Sequence, residues 1–214
     1  MNKSIADIRK DYQLKSLLET AVADNPFEQF NRWWDDAIQS ELEEVNAMTL
    51  ATASASGMPS ARIVLLKSAI ADGFIFFTNY NSLKGNELEE NPFACLVFFW
   101  KELERQIRIT GTIEKVSAAE SDDYFYSRPE GSRIGAWASP QSSVIPSRET
   151  IEANIVKYVQ KFKGAEITRP PHWGGYIVKP TVIEFWQGRP NRLHDRIQYS
   201  KLQDGMWNIE RLAP

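Results

Sequence analysis

Arg192-Leu193-His194-Asp195-Arg196 gathers two guanidinium groups and an imidazole within five positions. It follows the aromatic strand pattern Ile183-Glu184-Phe185-Trp186-Gln187 and a short gap, Gly188 to Asn191. Trp186 offers a flat surface, and Arg192 can both pair with an anion and stack on a planar ring. Such a grouping suits a flat, phosphorylated heterocycle; it also suits a solvated hairpin end.

Two further stretches concentrate cations. Arg62-Ile63-Val64-Leu65-Leu66-Lys67 brackets four aliphatic residues with two charges, in a strand expected to be mostly buried. Arginine and lysine are the usual partners of phosphate oxygens. The pattern reads either as a phosphate held at a strand's edge or as charged strand ends reaching solvent. Strict alternation would put Arg62 and Lys67 on opposite faces, to serve different groups or different subunits. In Tyr124-Phe125-Tyr126-Ser127-Arg128-Pro129-Glu130-Gly131-Ser132, Arg128 stands between a helix end and a Pro/Gly turn, with the hydroxyls of Tyr124 and Ser132 close in sequence. Arginine plus two hydroxyls suits a dianionic phosphate. Taken alone, Arg128 reads first as a cap on a helix C-terminus.

The elements that must position these residues follow from periodicity. Residues 1–20 read as an N-terminal arm and 21–214 as one domain. A helix is expected from about Pro26 to Leu42, capped by Asn25 with Glu28 at the capping-box position, and with Phe27, Phe30, Trp34, Ala37 and Ile38 on its apolar face. Then the period changes. Met48–Ala53, Arg62–Lys67 and Phe74–Thr78 read as antiparallel strands, punctuated by Gly57-Met58-Pro59 and Asp72-Gly73. Leu83–Glu90 is a short helix stopped by Asn91-Pro92. Phe93–Trp100 and Arg105–Val116 are strands. Ser117 and Glu120 open a helix that reaches Ser127, and another runs from about Arg148 to Phe162, closed by Gly164. Strands return at Gly175–Val178, Val182–Gln187, Arg196–Ser200 and Met206–Leu212, the last pair joined by Asp204-Gly205. Strands, helices and strands without β-α alternation predict an α+β, mainly β fold: an antiparallel sheet closed as a barrel with helices around it.

Composition narrows the function. The 214 residues carry a net charge of -3 and show no basic stripe, which argues against a nucleic-acid binder. One cysteine, Cys95, excludes an internal disulfide and reads as a small buried hydrophobe; with only His172 and His194 beside it, no zinc site is expected. No apolar run suits a membrane span, and Met1 to Asp7 lacks the apolar segment of a signal peptide, so the expected location is cytoplasmic. No G-x-G-x-x-G, P-loop or G-x-S-x-G pattern is present.

The Glu-aromatic-Trp, gap, Arg-aliphatic-His-Asp-Arg motif at 184–196 closely resembles the signature of the pyridoxine/pyridoxamine 5'-phosphate oxidase family, and the resemblance extends over nearly the whole chain. It implies a split β-barrel homodimer with two FMN sites at the interface, each drawing on both chains. It implies that Arg62, Ile63, Val64, Leu65, Leu66 and Lys67 contact the flavin, with Lys67 also near the substrate phosphate. Phe77, Thr78 and Lys84 resemble further FMN contacts, Gln106 the residue facing the flavin ring, and Gln141, Ser142, Trp186 and Arg196 contacts from the partner chain. Tyr124, Arg128 and Ser132 are similar to the cradle of the substrate phosphate. Arg192, Leu193 and His194 resemble the segment holding the pyridine ring, with Arg192 and His194 as the catalytic pair; His194 can act there as a base or only as an orienting group. Arg9, Lys10, Asp11 and Tyr12 resemble a segment that covers the site. The implied substrates are pyridoxine or pyridoxamine 5'-phosphate and O2. Two positions depart from the family pattern: Leu83 stands where arginine is common, and Phe77 where tyrosine is common. Weaker FMN binding is the expected consequence. A flavin reductase or a non-catalytic flavin or pyridoxal phosphate carrier could share the barrel; the reductase would need a nicotinamide donor and no Arg128 or Ser132.

Overall fold

A computed structural model describes residues 4–5 and 11–214. Its strands are β1 (Ala47–Ala53), β2 (Pro59–Leu65), β3 (Ser68–Ile70), β4 (Gly73–Asn79), β5 (Phe93–Trp100), β6 (Arg105–Lys115), β7 (Trp173–Gln187), β8 (Asp195–Lys201) and β9 (Trp207–Arg211). They form one sheet in the order β2-β1-β5-β6-β7-β4-β3, with β8 paired to β7 and β9 to β8. The helices are α1 (Pro26–Gln39), α2 (Leu83–Glu90), α3 (Ala118–Ser127), α4 (Glu130–Ala138) and α5 (Glu149–Lys161). The mainly β, antiparallel sheet with helices is what the strand pattern predicted, and the split barrel is the form that the resemblance implied. No helix among the described residues is long and apolar enough to cross a membrane.

The chain divides into two compact units. The first holds the described residues up to Leu50, Cys95–Gly111 and Pro180–Pro214. Its core is aromatic: Phe30 meets Phe98 at 5.7 Å, Trp33 meets Phe185 at 5.2 Å, and Phe185 meets Tyr199 at 5.6 Å. Such edge-on contacts add to the burial of large apolar rings. Helix α1 supplies Phe30, Trp33 and Ala37 to this core, while Ile38 is 54% exposed. The predicted Trp34 is half-buried and packs on Phe30 at 5.7 Å and on Trp100 at 6.2 Å, whereas Ile38 is not part of the buried face and Trp33, absent from the predicted one, is, with the Arg105 guanidinium 4.3 Å over its ring. The Asn25 side chain accepts from the Phe27 N–H. The helix ends before the predicted Leu42, where the Ser40 hydroxyl donates to the Asp36 carbonyl and Glu41 turns to φ 54°.

The second unit comprises Ala51–Ala94 and Thr112–Lys179. Its helical core packs Phe125, Ile134, Ile167 and Trp173 together. Ser117 and Glu120 form the expected capping box at the start of α3. Helix α4 occupies residues predicted as a turn; Ile134 joins the Phe125 cluster, Ala136 and Trp137 pack against it, and this burial overrides the Pro-Glu-Gly-Ser signal.

Strand β7 is continuous where two strands were predicted. Residues 173–178 pair with β4 and 182–187 with β8. Pro180, which has no N–H to give, falls between the two ladders, where neither requires one.

Candidate functional site

A cavity of about 870 Å³ opens in the second unit. Strand β2 brings Arg62, Ile63, Val64 and Leu65 to it, β4 brings Phe77 and Thr78, and α2 brings Leu83 and Lys84. Tyr124 and Arg128 come from the end of α3 and Ser132 from α4; Gln141 and Ser142, which the resemblance gives to the partner chain, line the cavity of their own chain from the loop beyond α4. Lys67 lines the same cavity. The expected opposition of Arg62 and Lys67 does not hold, because β2 ends at Leu65 and the alternation ends with it. Nor is the strand mostly buried: Ile63 is 65% and Leu65 37% exposed, since β2 is an edge of the sheet and borders the cavity. Leu66 points to the core, 6% exposed, and is not among the lining residues.

Lys84 is placed by the start of α2. The Ser82 hydroxyl caps the helix by accepting from the Gly85 N–H. Gly85 lies so close under the preceding turn that a Cβ there would come within 2.0 Å of the Tyr80 carbonyl oxygen. The Lys84 ammonium thus turns inward, 3.2 Å from the Thr78 hydroxyl, 3.3 Å from that of Ser82 and 3.4 Å from Gln141 Oε1. The residue is only 8% exposed and has no carboxylate partner among the described residues. Burial, followed by the nearby Arg62 charge, holds its pKa below the ordinary lysine range, with Glu87 opposing. A buried ammonium among neutral hydroxyl and amide groups at a helix N-terminus is a site for an oxyanion.

Arg62 is held from behind. It donates to the Thr52 and Ser60 hydroxyls and pairs with Glu87 at 3.2 Å. Burial would raise the Glu87 pKa, yet hydrogen bonds from Ser60 and Thr52 and the Arg62 charge outweigh it and bring it down. Arg128 has no such support. Its backbone N–H closes α3 onto the Phe125 carbonyl, as the capping reading expects, but its guanidinium lies 4.6 Å over the Trp173 ring. Arg128 Nη1 is buried without a hydrogen-bond partner among the described residues. Such an orphaned donor costs about 1–3 kcal/mol unless a ligand meets it. Beside it, Phe77 stacks on Tyr124 at 4.1 Å and on Trp173 at 5.5 Å, and the Lys67 ammonium sits 5.7 Å above Tyr124. This end of the cavity combines flat aromatic surface with positive charge.

In the first unit, the sequence motif forms a separate cluster. Gln187 pairs with Asp195 and Trp186 with Arg196 across β7 and β8. The intervening loop turns at Pro190–Arg192, where Asn191 and Arg192 both take left-handed backbone, φ 55° and 64°. His194 lies 4.5 Å from Trp186 and 6.0 Å from Tyr12. Its Nδ1 accepts from the Arg189 N–H at 3.1 Å, and burial together with the Arg192 charge lowers its pKa. Tyr12 rests on Gly188, where a Cβ would meet its ring at 2.6 Å. The segment carrying Tyr12 is pinned: the Gln13 and Leu14 N–H groups donate to the Glu104 carboxylate, and that of Leu17 to Asp195. Asp11 is exposed, and Arg9 and Lys10 lie outside the described residues. Arg196 pairs with the buried Glu184, which Arg108 also meets. Arg192 and Leu193 are exposed, and Gln106 is half-buried on β6.

Sequence reasoning missed Glu87, Trp173 and Glu104. Each acts on residues far away in the chain, and no local pattern marks it.

The pyridoxamine 5'-phosphate oxidase family profile matches residues 34–162, and the profile of the pyridoxine 5'-phosphate oxidase C-terminal dimerisation region matches 173–214. The chain is 59% identical to a pyridoxine/pyridoxamine 5'-phosphate oxidase of Nostoc punctiforme, over 100% of both chains. It is 59% identical to that of Cupriavidus metallidurans, covering 98% of this chain and 99% of the relative. Among solved structures, PhzG from Burkholderia lata, in complex with tetrahydrophenazine-1-carboxylic acid, superposes with a TM-score of 0.87 at 29% identity, covering 94% of this chain and 100% of that one. A pyridoxamine 5'-phosphate oxidase-related, FMN-binding protein from Nostoc punctiforme gives 0.70 at 17% identity, covering 88% and 98%, and supports the fold.

Proposed function

This chain belongs to the pyridoxine/pyridoxamine 5'-phosphate oxidase family, and from that premise we propose that it oxidises pyridoxine or pyridoxamine 5'-phosphate to pyridoxal 5'-phosphate with FMN and O2, as a step of vitamin B6 salvage. The observation that carries this reading is a pair of cations that line one cavity with no carboxylate partner among the described residues: the buried Lys84, and the half-buried Arg128, whose Nη1 is buried without a hydrogen-bond partner there. Two separate anionic groups, one on a cofactor and one on a substrate, would satisfy them.

Lys84, Thr78, Arg62, Gln141 and Ser142 would hold FMN. Their donors suit its phosphate, so the residues present fit the group. Gln106, Trp186 and Arg196 are assigned to the flavin as well. Bound FMN supplies a two-electron acceptor that O2 regenerates, yielding hydrogen peroxide. Lys67, Tyr124, Arg128 and Ser132 take the substrate phosphate, and the Phe77-Tyr124-Trp173 stack lends the cradle a rigid apolar wall. Arg192 and His194 orient the pyridine ring, and Asp11 and Tyr12 cover it. The C4' carbon of the alcohol loses two electrons and two protons to become the aldehyde. The amine gives an imine, which water converts to the aldehyde and ammonia. We further propose a homodimer formed through the C-terminal region, with FMN at the interface and residues of both chains serving each site.

Aerobic turnover tests the reading. With FMN and pyridoxine 5'-phosphate, pyridoxal 5'-phosphate and hydrogen peroxide should appear in equal amounts. FMN binding without either product, with the amine substrate as well, would point to a carrier or a reductase instead.

A further inference from the structure

We propose that the loop backbone fixes His194 as the Nε2–H tautomer, making it a hydrogen-bond donor to the bound heterocycle and removing it as a proton acceptor. The inference rests on the reading that His194 meets the substrate ring. It concerns which of two opposed roles the imidazole can play there.

A backbone N–H can only donate. The Arg189 N–H lies 3.1 Å from His194 Nδ1, so that nitrogen must present its lone pair. A neutral imidazole carries one N–H, which then resides on Nε2. The ring nitrogen left for a ligand is thus a donor, and the only basic lone pair is already engaged.

The loop makes this arrangement hard to escape. Upstream, the Gly188 N–H donates to the Glu104 carbonyl at 2.7 Å, and downstream Asp195 is paired with Gln187 in the sheet. Between these anchors Arg189 is extended, at φ -136° and ψ 158°, and the left-handed Asn191 and Arg192 fold the chain back. The Leu193 N–H closes the turn on the Pro190 carbonyl at 3.1 Å. The Arg189 side chain is tied as well, to the Lys15 carbonyl at 3.3 Å and to Asp195 at 3.5 Å. With both ends of the loop and its middle fixed, the amide has little freedom to turn away.

Protonating Nδ1 would set two N–H donors against each other and break this bond. The charged groups around the ring oppose it further. Arg192 brings a positive charge, and the Asp195 carboxylate, the natural counter-charge, is occupied by Arg211, Arg189 and the Leu17 N–H. Tyr12 and Trp186 cover the ring with aromatic surface. His194 is accordingly neutral at pH 7, in keeping with its lowered pKa. Nε2–H then fits an oxygen on the heterocycle that carries negative charge, and His194 takes up no proton during oxidation.

The chain has only two histidines, His172 and His194, so the test is direct. In a His172→Asn variant labelled with 15N-histidine and loaded with FMN, a single imidazole remains. Its nitrogen shifts at neutral pH should show Nε2 protonated and Nδ1 unprotonated. A protonated Nδ1, or an averaged pair of shifts, would overturn the proposal. A second comparison uses substitutions. His194→Gln, which can still donate from near the Nε2 position, should keep kcat within about tenfold of the parent, whereas His194→Leu should lose about a hundredfold or more, the scale of a lost catalytic contact. Equal losses in the two variants would overturn the donor role. Normal turnover with the wrong tautomer sinks this inference alone; the right tautomer without any turnover sinks the assigned activity and leaves the tautomer standing.

Discussion

The cavity of the second unit and the β7–β8 cluster of the first treat positive charge in opposite ways. In the cluster, arginines are matched: Glu184 takes Arg196 and Arg108, and Asp195 takes Arg211 and Arg189. In the cavity, Lys84 is buried and Arg128 half-buried with its Nη1 out of reach of water, and among the described residues neither has a carboxylate of its own, whereas Arg62 is paired to Glu87. A matched charge is held in place, whether it then serves the fold or, as proposed for Arg62 and Arg196, a ligand; a buried unmatched one is a cost until an anion meets it. Arg192 is the exception within the cluster, exposed and in no ion pair among the described residues. Being exposed, it carries no burial cost, but its unpaired guanidinium is open to an anion, which sets it with the ligand-facing cations.

The sharpest test of that logic is Arg192→Ala. It should lower kcat/KM by about 100-fold or more, the scale of one lost transition-state contact, while FMN stays bound. Near-normal turnover would move Arg192 to the structural group. Glu184→Gln should do the reverse, leaving two arginines without their partner. Breaking a buried pair costs roughly 3–5 kcal/mol, and the lower end applies because the Arg108 and Arg196 side chains are 44% and 26% exposed. A urea midpoint that does not fall would contradict it. Lys84→Met separates the two classes most cleanly. FMN affinity should drop by about 1.5–3 kcal/mol, roughly 10- to 150-fold, while the FMN-free protein becomes no less stable. The pH dependence follows the same residue. Because Lys84 loses its proton more easily than an ordinary lysine, the FMN dissociation constant should rise with pH from below the usual lysine value of about 10.4. In Lys84→Met that rise should vanish. Arg128→Ala should raise KM by up to about tenfold, near 1.4 kcal/mol, without changing FMN affinity. Smallest of all, Leu83→Arg adds a cation at a cavity residue that is 53% exposed, and should tighten FMN by no more than about 1 kcal/mol.

The same contrast marks what could be read from the chain. The motif at 184–196 was legible because its chemistry is local: β7, a tight loop and β8 carry it in one stretch. The capping box at Ser117 and the hairpin at Asp204-Gly205 were legible for the same reason. Helix α4 was not, because its stability comes from packing on Phe125 and Trp173 rather than from its own signals. The common cavity of Arg62 and Lys67 depends on where β2 stops pairing, which alternation cannot specify. Glu87 reaches Arg62 across 25 positions and Trp173 reaches Arg128 across 45, so neither left a local trace.

One bond has a consequence in time. The Leu17 N–H is held by Asp195, 178 residues further along. At ribosomal rates of about 5–20 residues per second, roughly 9 to 36 seconds separate the synthesis of the two partners. The stretch around Tyr12 is therefore made early and fully seated late: Glu104 can take the Gln13 and Leu14 N–H groups first, and Asp195 takes that of Leu17 only after the loop bearing Arg192 and His194 has emerged. A nascent chain cut short before β8 would leave that stretch open to proteases, and limited digestion of stalled ribosome complexes would find it there.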